Sequence, residues 1–298
     1  MALKKDLASA TIIVNPVSGK GDPSERRTLI KKSARTNGWK GTYRETTKTI
    51  TAQQIAQEEV KKGVNHLIVC GGDGTIMEVL DVVANQKISL GIVPLGTGNL
   101  LARNLQLPLT IEDAMEKIFS GKSRTIDLGQ ANGIYYSIAA GIGLDADVMK
   151  AAERELKDRW GMLAYIVSAI KYLYNRSSQY EIRLDSKKPF RVKAKTIMVS
   201  NMGKVFNDIE IVPNTHAQSG TLQIGIVTAK SLPSWFNIVF HALIGKVHNS
   251  PHYDMYTAKK IDIHVLGKKR RFQCDGNSFE PVDRLLIKVC PKALTIME

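Results

Sequence analysis

The chain has 298 residues, 43% of them hydrophobic, with a formal net charge of +14 at pH 7. That length suits one large domain or two ordinary ones, and the apolar content excludes a disordered chain. The charge favours an anionic partner, whether nucleotide, nucleic acid or acidic membrane surface, over the plainer reading that it only aids solubility.

The three cysteines, Cys70, Cys274 and Cys290, show no CxxC spacing. A disulfide framework and a cysteine-based zinc site are therefore not expected, and a reducing cytoplasm fits. The N-terminus MALKKDLASATIIV lacks a long apolar stretch, so no signal peptide is expected. The longest weakly polar run, residues 161–174, is too short to cross a bilayer and reads as a buried helix.

In chain order, TIIVN at 11–15 is a short apolar run that ends on Pro16, Ser18, Gly19 and Gly21, a strand entering a Gly-rich loop. Ser24 is expected to cap the helix that follows, to about Asn37. Residues 42–46 are a candidate strand. TAQQIAQEEVKK at 51–62 has helical apolar spacing and is stopped by Gly63. Residues 66–70 form the third strand, followed by GGDGT and a helix. Residues 89–93 form the fourth, followed by PLGTGN and another helix. Such alternation predicts a parallel α/β sheet covered on both faces.

The pattern changes near residue 124. Strands are expected at 124–129, 134–140, 181–184, 191–200, 220–228, 260–266, 269–274 and 284–289, many with period-two alternation. Helices are expected at 145–175 and 232–246. Mostly β with many turns predicts a sandwich or barrel-like second domain. The expected division is 1–127 for the α/β domain and 128–289 for the β domain, with residues from about 290 to 298 a candidate to return to the first.

Three Gly-rich turns follow the first, third and fourth strands: NPVSGKG at 15–21, GGDGT at 71–75 and PLGTGN at 94–99. Ligands of open parallel sheets bind beyond the carboxyl ends of the strands. Glycine lets the backbone approach a ligand, and helix N-termini offer free N–H groups to anions. Three such turns with hydroxyls at Ser18, Thr75 and Thr97 read as a phosphate cradle. Neither GxGxxG nor GxxxxGK[ST] is present, which argues against a Rossmann dehydrogenase or an ordinary P-loop enzyme.

Asp73 is the unusual residue. A carboxylate beside phosphates repels them unless a cation lies between, and Mg²⁺, which prefers oxygen ligands, fits. The alternative is that Asp73 only caps the helix starting near Thr75. Asp127, in TIDLG, lines a cleft or sits in a turn, and Asp275-Gly276 reads as a hairpin turn. His248 and His252 lack the glutamate of a zincin helix, and no GxSxG is present. Aromatic residues do not interleave with basic clusters, so nucleic acid is not an expected partner.

NPVSGKG, GGDGT and PLGTGN with LARNL, then AGIGLDAD at 140–147, WGMLAY at 160–165, VSNMG at 199–203, IVPNT at 211–215 and CDGN at 274–277 resemble the diacylglycerol-kinase catalytic-domain family, which is distantly similar to NAD kinases. The resemblance covers nearly the whole chain. It implies an α/β nucleotide-binding domain and a β-sandwich domain with the active site in the cleft between them. It implies contacts to ATP from Asn15, Pro16, Ser18, Gly19, Thr46, Gly72, Asp73, Gly74, Thr75, Glu78 and Thr97. Asp73 and Asp127 match acidic positions of the family site, as Mg²⁺ ligands or catalytic groups.

The implied chemistry is transfer of the ATP γ-phosphoryl group to a lipid hydroxyl, diacylglycerol above all. The enzyme would be cytoplasmic and peripherally attached to an anionic membrane, with a homodimer as a candidate assembly. Two positions depart from the family. Asn277 stands where its glutamate base is usual, with Glu280 three residues on. Ser219 stands where an aspartate helps hold a structural Mg²⁺, so that ion is expected to be absent or weak. Alternatives are a kinase-like binder with weak turnover, and a kinase of a soluble hydroxyl acceptor. Residues 232–246 offer either a greasy membrane-facing side or a core helix.

Overall fold

The computed structural model describes residues 7–143, 177–206, 209–210, 216–229, 231–244 and 246–298. The helix expected at 145–175, with its apolar run at 161–174 and the WGMLAY stretch, lies outside the described residues, as do IVPNT at 211–215 and the end of AGIGLDAD. The chain divides into two compact units, Met1–Leu128 with Cys290–Glu298, and Gly129–Val289.

In the first unit β1 (Thr11–Val14), β2 (Tyr43–Glu45), β3 (His66–Gly71) and β4 (Ser89–Pro94) form a parallel sheet in the order β2-β1-β3-β4. The helices between them are α1 (Pro23–Thr36), α2 (Ala52–Lys61) and α3 (Asp73–Val83). Helices α4 (Leu100–Asn104) and α5 (Ile111–Phe119) follow β4. Strand β18 (Arg284–Met297) brings Thr295 and Ile296 parallel to Ser89 and Leu90.

Strands β1, β3 and β4 are buried almost throughout, as a sheet covered on both faces requires. On one face Ile12, Val14, Ile68, Cys70 and Val93 pack with Ile30 and Ala34 of α1 and Met115 and Ile118 of α5. Burying each such aliphatic side chain stabilises the fold by about 2 kcal/mol.

Local chemistry sets the helix ends. The cap of α1 is Asp22, not Ser24. Asp22 accepts the Ser24 backbone N–H at 2.8 Å, and Pro23 occupies the first turn, where its missing N–H costs nothing. Thr51 and Gln54 make a reciprocal capping box on α2. Gly63 ends that helix at a φ of +84°.

Order β2-β1-β3-β4 means that the chain leaves β1 in one direction and returns on its other side at β3. The sheet therefore switches direction between β1 and β3, the position at which open α/β sheets take ligands. NPVSGKG leaves β1 there and GGDGT leaves β3.

The second unit is a β-sandwich. One sheet contains β6 (Ile134–Tyr136), the first residues of β18, β15 (Lys260–Leu266), β8 (Ser178–Leu184) and β9 (Phe190–Ala194). Strand β5 (Ser123–Ala131) reaches it from the first unit and pairs with β6. The other sheet runs β14 (Tyr253–Ala258), β13 (Leu222–Val227), β10 (Thr196–Ser200), β7 (Ala139–Ile142), β16 (Phe272–Cys274) and β17 (Asn277–Ser278). Alternating residues fill the interior: Tyr180, Ile182 and Leu184 from β8 and Leu222, Ile224 and Ile226 from β13 are buried.

Several expectations for this unit need correction. The strand expected at 191–200 is two, β9 and β10, which lie in different sheets, with Lys195 between them. The strand expected at 134–140 likewise divides into β6 and β7. The expected 269–274 strand shortens to β16, beyond an isolated bridge between Arg270 and Val282. Strand β14 was not expected. A short ribbon, β11 (Lys204–Phe206) with β12 (Ile209–Glu210), and α6 (Leu232–Leu243) complete the described elements. Among the described residues no helix is long and apolar enough to cross a membrane.

Candidate active site

The three Gly-rich turns of the first unit meet. Asn15 follows β1 directly. Its backbone N–H donates to the Cys70 carbonyl at 3.0 Å, and its side-chain Nδ2 donates to Thr75 Oγ1 at 3.0 Å. The first turn is thereby fixed to the third strand and to α3. Ser18 Oγ accepts the Gly72 N–H at 3.4 Å, and the Leu95 N–H donates to the Gly71 carbonyl at 2.9 Å.

Glycine is required at two of these contacts. At Gly19, with a φ of +88°, an added Cβ would lie 2.5 Å from the Leu95 carbonyl oxygen. At Gly96 it would lie 2.8 Å from Gly72 Cα and 2.9 Å from Asn99 Oδ1. A methyl group at either place would force the turns apart.

Asp73 opens α3, but its carboxylate does not cap that helix. Gly72 is the N-cap residue and provides no side chain. Asp73 Oδ1 instead accepts the Leu101 backbone N–H at 3.3 Å, at the first turn of α4. Burial pushes the Asp73 carboxyl above the usual carboxylate range, and the backbone N–H groups of Leu101, Leu100 and Asn99 only partly offset it. The carboxylate therefore ties GGDGT to PLGTGN, and the sequence-based alternative of a cap on its own helix is corrected to a cap on the next.

Asn99 is a site residue that sequence reasoning passed over. It is buried and left-handed, with a φ of +48°. Its Nδ2 donates to the Gly96 carbonyl at 2.8 Å, while its buried Oδ1 has no hydrogen-bond partner. The visible signal was the GN pair, since asparagine tolerates the left-handed region better than other residues with a Cβ. Arg26 was also missed; its guanidinium donates to the Pro16 carbonyl at 3.1 Å and braces the first turn.

The remaining expected residues are placed as follows. Gly74 and Thr97 are exposed, and space is open around Gly74. Thr46 donates its N–H to the Val14 carbonyl at 2.9 Å, whereas the neighbouring Thr47 hydroxyl closes its own turn by accepting from Thr49 and Ile50. Glu78 Oε2 accepts the Ala52 N–H at 2.8 Å, at the start of α2. Asp127 is buried in β5 and accepts the Lys292 N–H at 2.8 Å. That contact supports the left-handed turn at Lys292, with a φ of +52°.

In the second unit Asp275 and Gly276 form a left-handed turn between β16 and β17, with φ of +44° and +86°. The Asp275 carboxylate does more than turn the chain. It accepts the N–H groups of Ser137, Ile138 and Ala139 at 2.7, 2.9 and 2.8 Å, and the Ser137 hydroxyl at 2.7 Å. Burial raises its pKa against these four donors. Asn201, of VSNMG, donates to the Ser137 carbonyl at 3.0 Å. Two motifs far apart in sequence thus hold the link between β6 and β7. Asn277 is exposed on β17, opposite Cys274, and Glu280 is exposed with Arg271 at 3.8 Å. The Ser219 hydroxyl donates to the Thr221 carbonyl at 2.9 Å.

The first-unit arrangement fits a nucleotide triphosphate with Mg²⁺. Close-packed glycine turns leave backbone at the sheet edge for phosphate oxygens. The orphaned Asn99 oxygen cannot accept from a phosphate but suits a cation or a metal-bound water. Among the described residues no three His, Cys, Asp or Glu side chains gather as a metal site. A Mg²⁺ ion carried by phosphates needs only one or two carboxylates, and Asp73 is the one that would supply such a ligand.

Known proteins resemble this chain over both of its units. The diacylglycerol kinase catalytic domain family matches residues 9–131, and the YegS C-terminal NAD kinase beta sandwich-like domain matches residues 138–298. A diacylglycerol kinase of Bacillus subtilis is 28% identical over 271 residues, 90% of this chain and 89% of its own. A solved Bacillus anthracis structure, provisionally described as a diacylglycerol kinase, is 25% identical with a TM-score of 0.81, covering 97% of this chain and 96% of that one. Yeast NADH kinase complexed with NADH shares the fold, with a TM-score of 0.53 at 12% identity over 97% of this chain and 82% of that one. With both models matched in order along nearly its whole length, the chain belongs to the family that joins a diacylglycerol kinase catalytic domain to a YegS-type C-terminal domain.

Proposed function

We propose that this protein transfers the γ-phosphoryl group of Mg·ATP to the hydroxyl of a diacylglycerol-like lipid. The observation that carries the proposal is the mutual packing of the three glycine turns where the parallel sheet reverses its order. In this reading the turns at 15–19, 71–75 and 96–99 hold the phosphates through backbone N–H groups and the hydroxyls of Ser18, Thr75 and Thr97. Asp73 keeps the second and third turns in register and would hold the metal. Bound Mg²⁺ would neutralise phosphate charge as the γ-phosphoryl group leaves.

Phosphoryl transfer needs mostly positioning and charge neutralisation, because its transition state is loose. A general base adds on the order of 10²–10⁴ in rate. Asn277 cannot take the acceptor proton at neutral pH, so this enzyme is slower than a relative with glutamate there. That substitution is the specific observation favouring the second reading, a nucleotide- and lipid-binding homologue with weak turnover. Asp127 is a metal or acceptor-aligning residue only if its buried carboxylate leaves the Lys292 turn, so a purely structural role is the simpler assignment. A basic chain acting on a lipid works at an anionic membrane surface.

The test is incubation with labelled Mg·ATP and a panel of diacylglycerols, other lipid alcohols and NAD. Phosphorylated diacylglycerol supports the proposal. Phosphorylated NAD with no lipid product moves the assignment to a soluble acceptor.

A further inference from the structure

Among the described residues, helix α6 packs on its own unit along one side. Ser234 and Ile238 are buried, and Trp235 packs against a cluster of Val227, Ala229, Val247 and Tyr253. Ser250 Oγ donates to Asn237 Oδ1 at 2.8 Å, and Ser234 closes the first turn through Ser231. The other side carries Phe236, Phe240 and Ile244, which are 58%, 60% and 49% exposed. They recur every fourth residue, and the Ile244 N–H donates to the Phe240 carbonyl at 3.2 Å, so the helical stripe continues through Ile244.

Singly exposed apolar residues are ordinary, but three in line on one helix mark an interaction surface. The sequence flanking the stripe carries basic residues and no acidic ones. No Asp or Glu occurs between Glu210 and Asp254, while Lys230, Lys246, His216, His241, His248 and His252 do. A stripe of Phe and Ile in a segment without acids matches an anionic bilayer, where rings enter the headgroup boundary and cations meet lipid charge.

We propose that Phe236, Phe240 and Ile244 dock the protein onto the surface of an anionic lipid bilayer, with α6 lying in the interface rather than crossing it. The proposal rests on the lipid-kinase reading for its biological sense, but the stripe and its charge setting stand independently of catalysis.

The test uses the full chain and vesicles of phosphatidylcholine with or without phosphatidylglycerol. The parent is expected to sediment with the phosphatidylglycerol vesicles and more weakly with phosphatidylcholine alone. Combined Phe236→Ser, Phe240→Ser and Ile244→Ser substitution is expected to weaken vesicle binding by about tenfold or more. As a check independent of that variant's folding, Phe240→Trp is expected to keep binding and to lose fluorescence to brominated lipid. Vesicle binding unchanged by the triple substitution, or no added quenching in Phe240→Trp, overturns the proposal. So does a parent dimer that the triple substitution splits, which assigns the stripe to a second copy of the chain. Phosphorylation of a short-chain diacylglycerol below its aggregation limit is expected to be the same in parent and triple variant. Stripe-dependent vesicle binding by a parent that phosphorylates no lipid leaves the docking surface standing and removes the lipid-kinase reading.

Discussion

The Asp73 carboxylate accepts the backbone N–H of Leu101 at 3.3 Å, across 28 residues of sequence. A side chain on the turn after β3 thus caps the start of the helix that follows β4. The contact makes one rigid unit of two turns that both face the proposed phosphates. It also accounts for a carboxylate at the proposed phosphate site: part of its charge is already met by backbone donors.

This relationship separates two roles of Asp73. Asp73→Ala removes both the cap and the charge, and is expected to cost about 1 kcal/mol of stability together with Mg-dependent turnover. Asp73→Asn keeps an acceptor for the Leu101 N–H but loses the charge. It is expected to melt near the parent and still lose turnover by about a hundredfold. Urea unfolding and a kinase assay on both variants check this. Full turnover in Asp73→Asn would leave the residue as a cap only.

Two glycines of the cradle differ in what the fold demands of them. Gly96→Ala is expected to destabilise the first unit by about 1–3 kcal/mol, because its methyl meets Gly72 and Asn99. Gly74 lies in α3 with open space around its Cβ position, so Gly74→Ala is expected to stabilise the ligand-free protein by about 0.5 kcal/mol. If phosphates lie against the turn, the same substitution weakens nucleotide binding. Calorimetric titration with ATP analogues, paired with thermal unfolding, reads both effects. Unchanged nucleotide affinity in Gly74→Ala would move the phosphates away from that turn.

Acid stability is expected to depend on Glu59. This buried carboxylate accepts from Thr11 at 2.9 Å and pairs with Lys62 at 2.7 Å and Arg44 at 3.1 Å. Burial alone would raise its pKa. The Lys62 and Thr11 hydrogen bonds and the two positive charges outweigh that, and the net shift is below the usual 4.5. A lowered folded pKa means that the unfolded chain binds more protons between the two values, so stability falls as pH drops through that window. The stability gap between parent and Glu59→Gln is expected to be full above pH 4.5 and to narrow below it, as read by urea unfolding at a series of pH values. A gap that stays constant to lower pH would contradict the assigned ionisation.

At the β16–β17 turn the fold and the chemistry separate cleanly. Asp275→Ala strands three backbone N–H groups and is expected to cost about 3 kcal/mol of stability. Asn277→Glu changes an exposed side chain and is expected to leave the melting temperature in place while raising turnover at least roughly tenfold, if a base is what the site lacks. Steady-state rates over a pH series check it, since an added base brings a new acidic limb to the profile. A slower enzyme with the parent's pH profile would mean that Asn277 is matched to this site.

Much of the α/β unit was legible because β1, β3 and β4 are short, apolar and closed by glycine turns. The three turns could be expected on one sheet edge from their place after three parallel strands. Their joining by Asp73 could not, because the partners are backbone N–H groups that every sequence has. Asp275 was read as a turn for the same reason: its acceptor role depends on residues 137–139, whose side chains do not announce it. In RVKAKTIMV the alternation runs unbroken through Lys195 while the chain passes from one sheet to the other, since periodicity reports which side is buried and not which strand is next. Ser24 lost the cap to Asp22 because Pro23 sets the helix start two residues earlier than the serine suggested.

The most direct measurement is transfer of labelled γ-phosphate from Mg·ATP to diacylglycerol by the parent protein beside Gly96→Ala. The expected result is a phosphorylated lipid that requires Mg²⁺ and falls at least roughly tenfold in the variant, with nucleotide affinity falling alongside. ATP binding with no phosphorylated lipid from the parent, or equal transfer by a folded Gly96→Ala protein, would contradict the account.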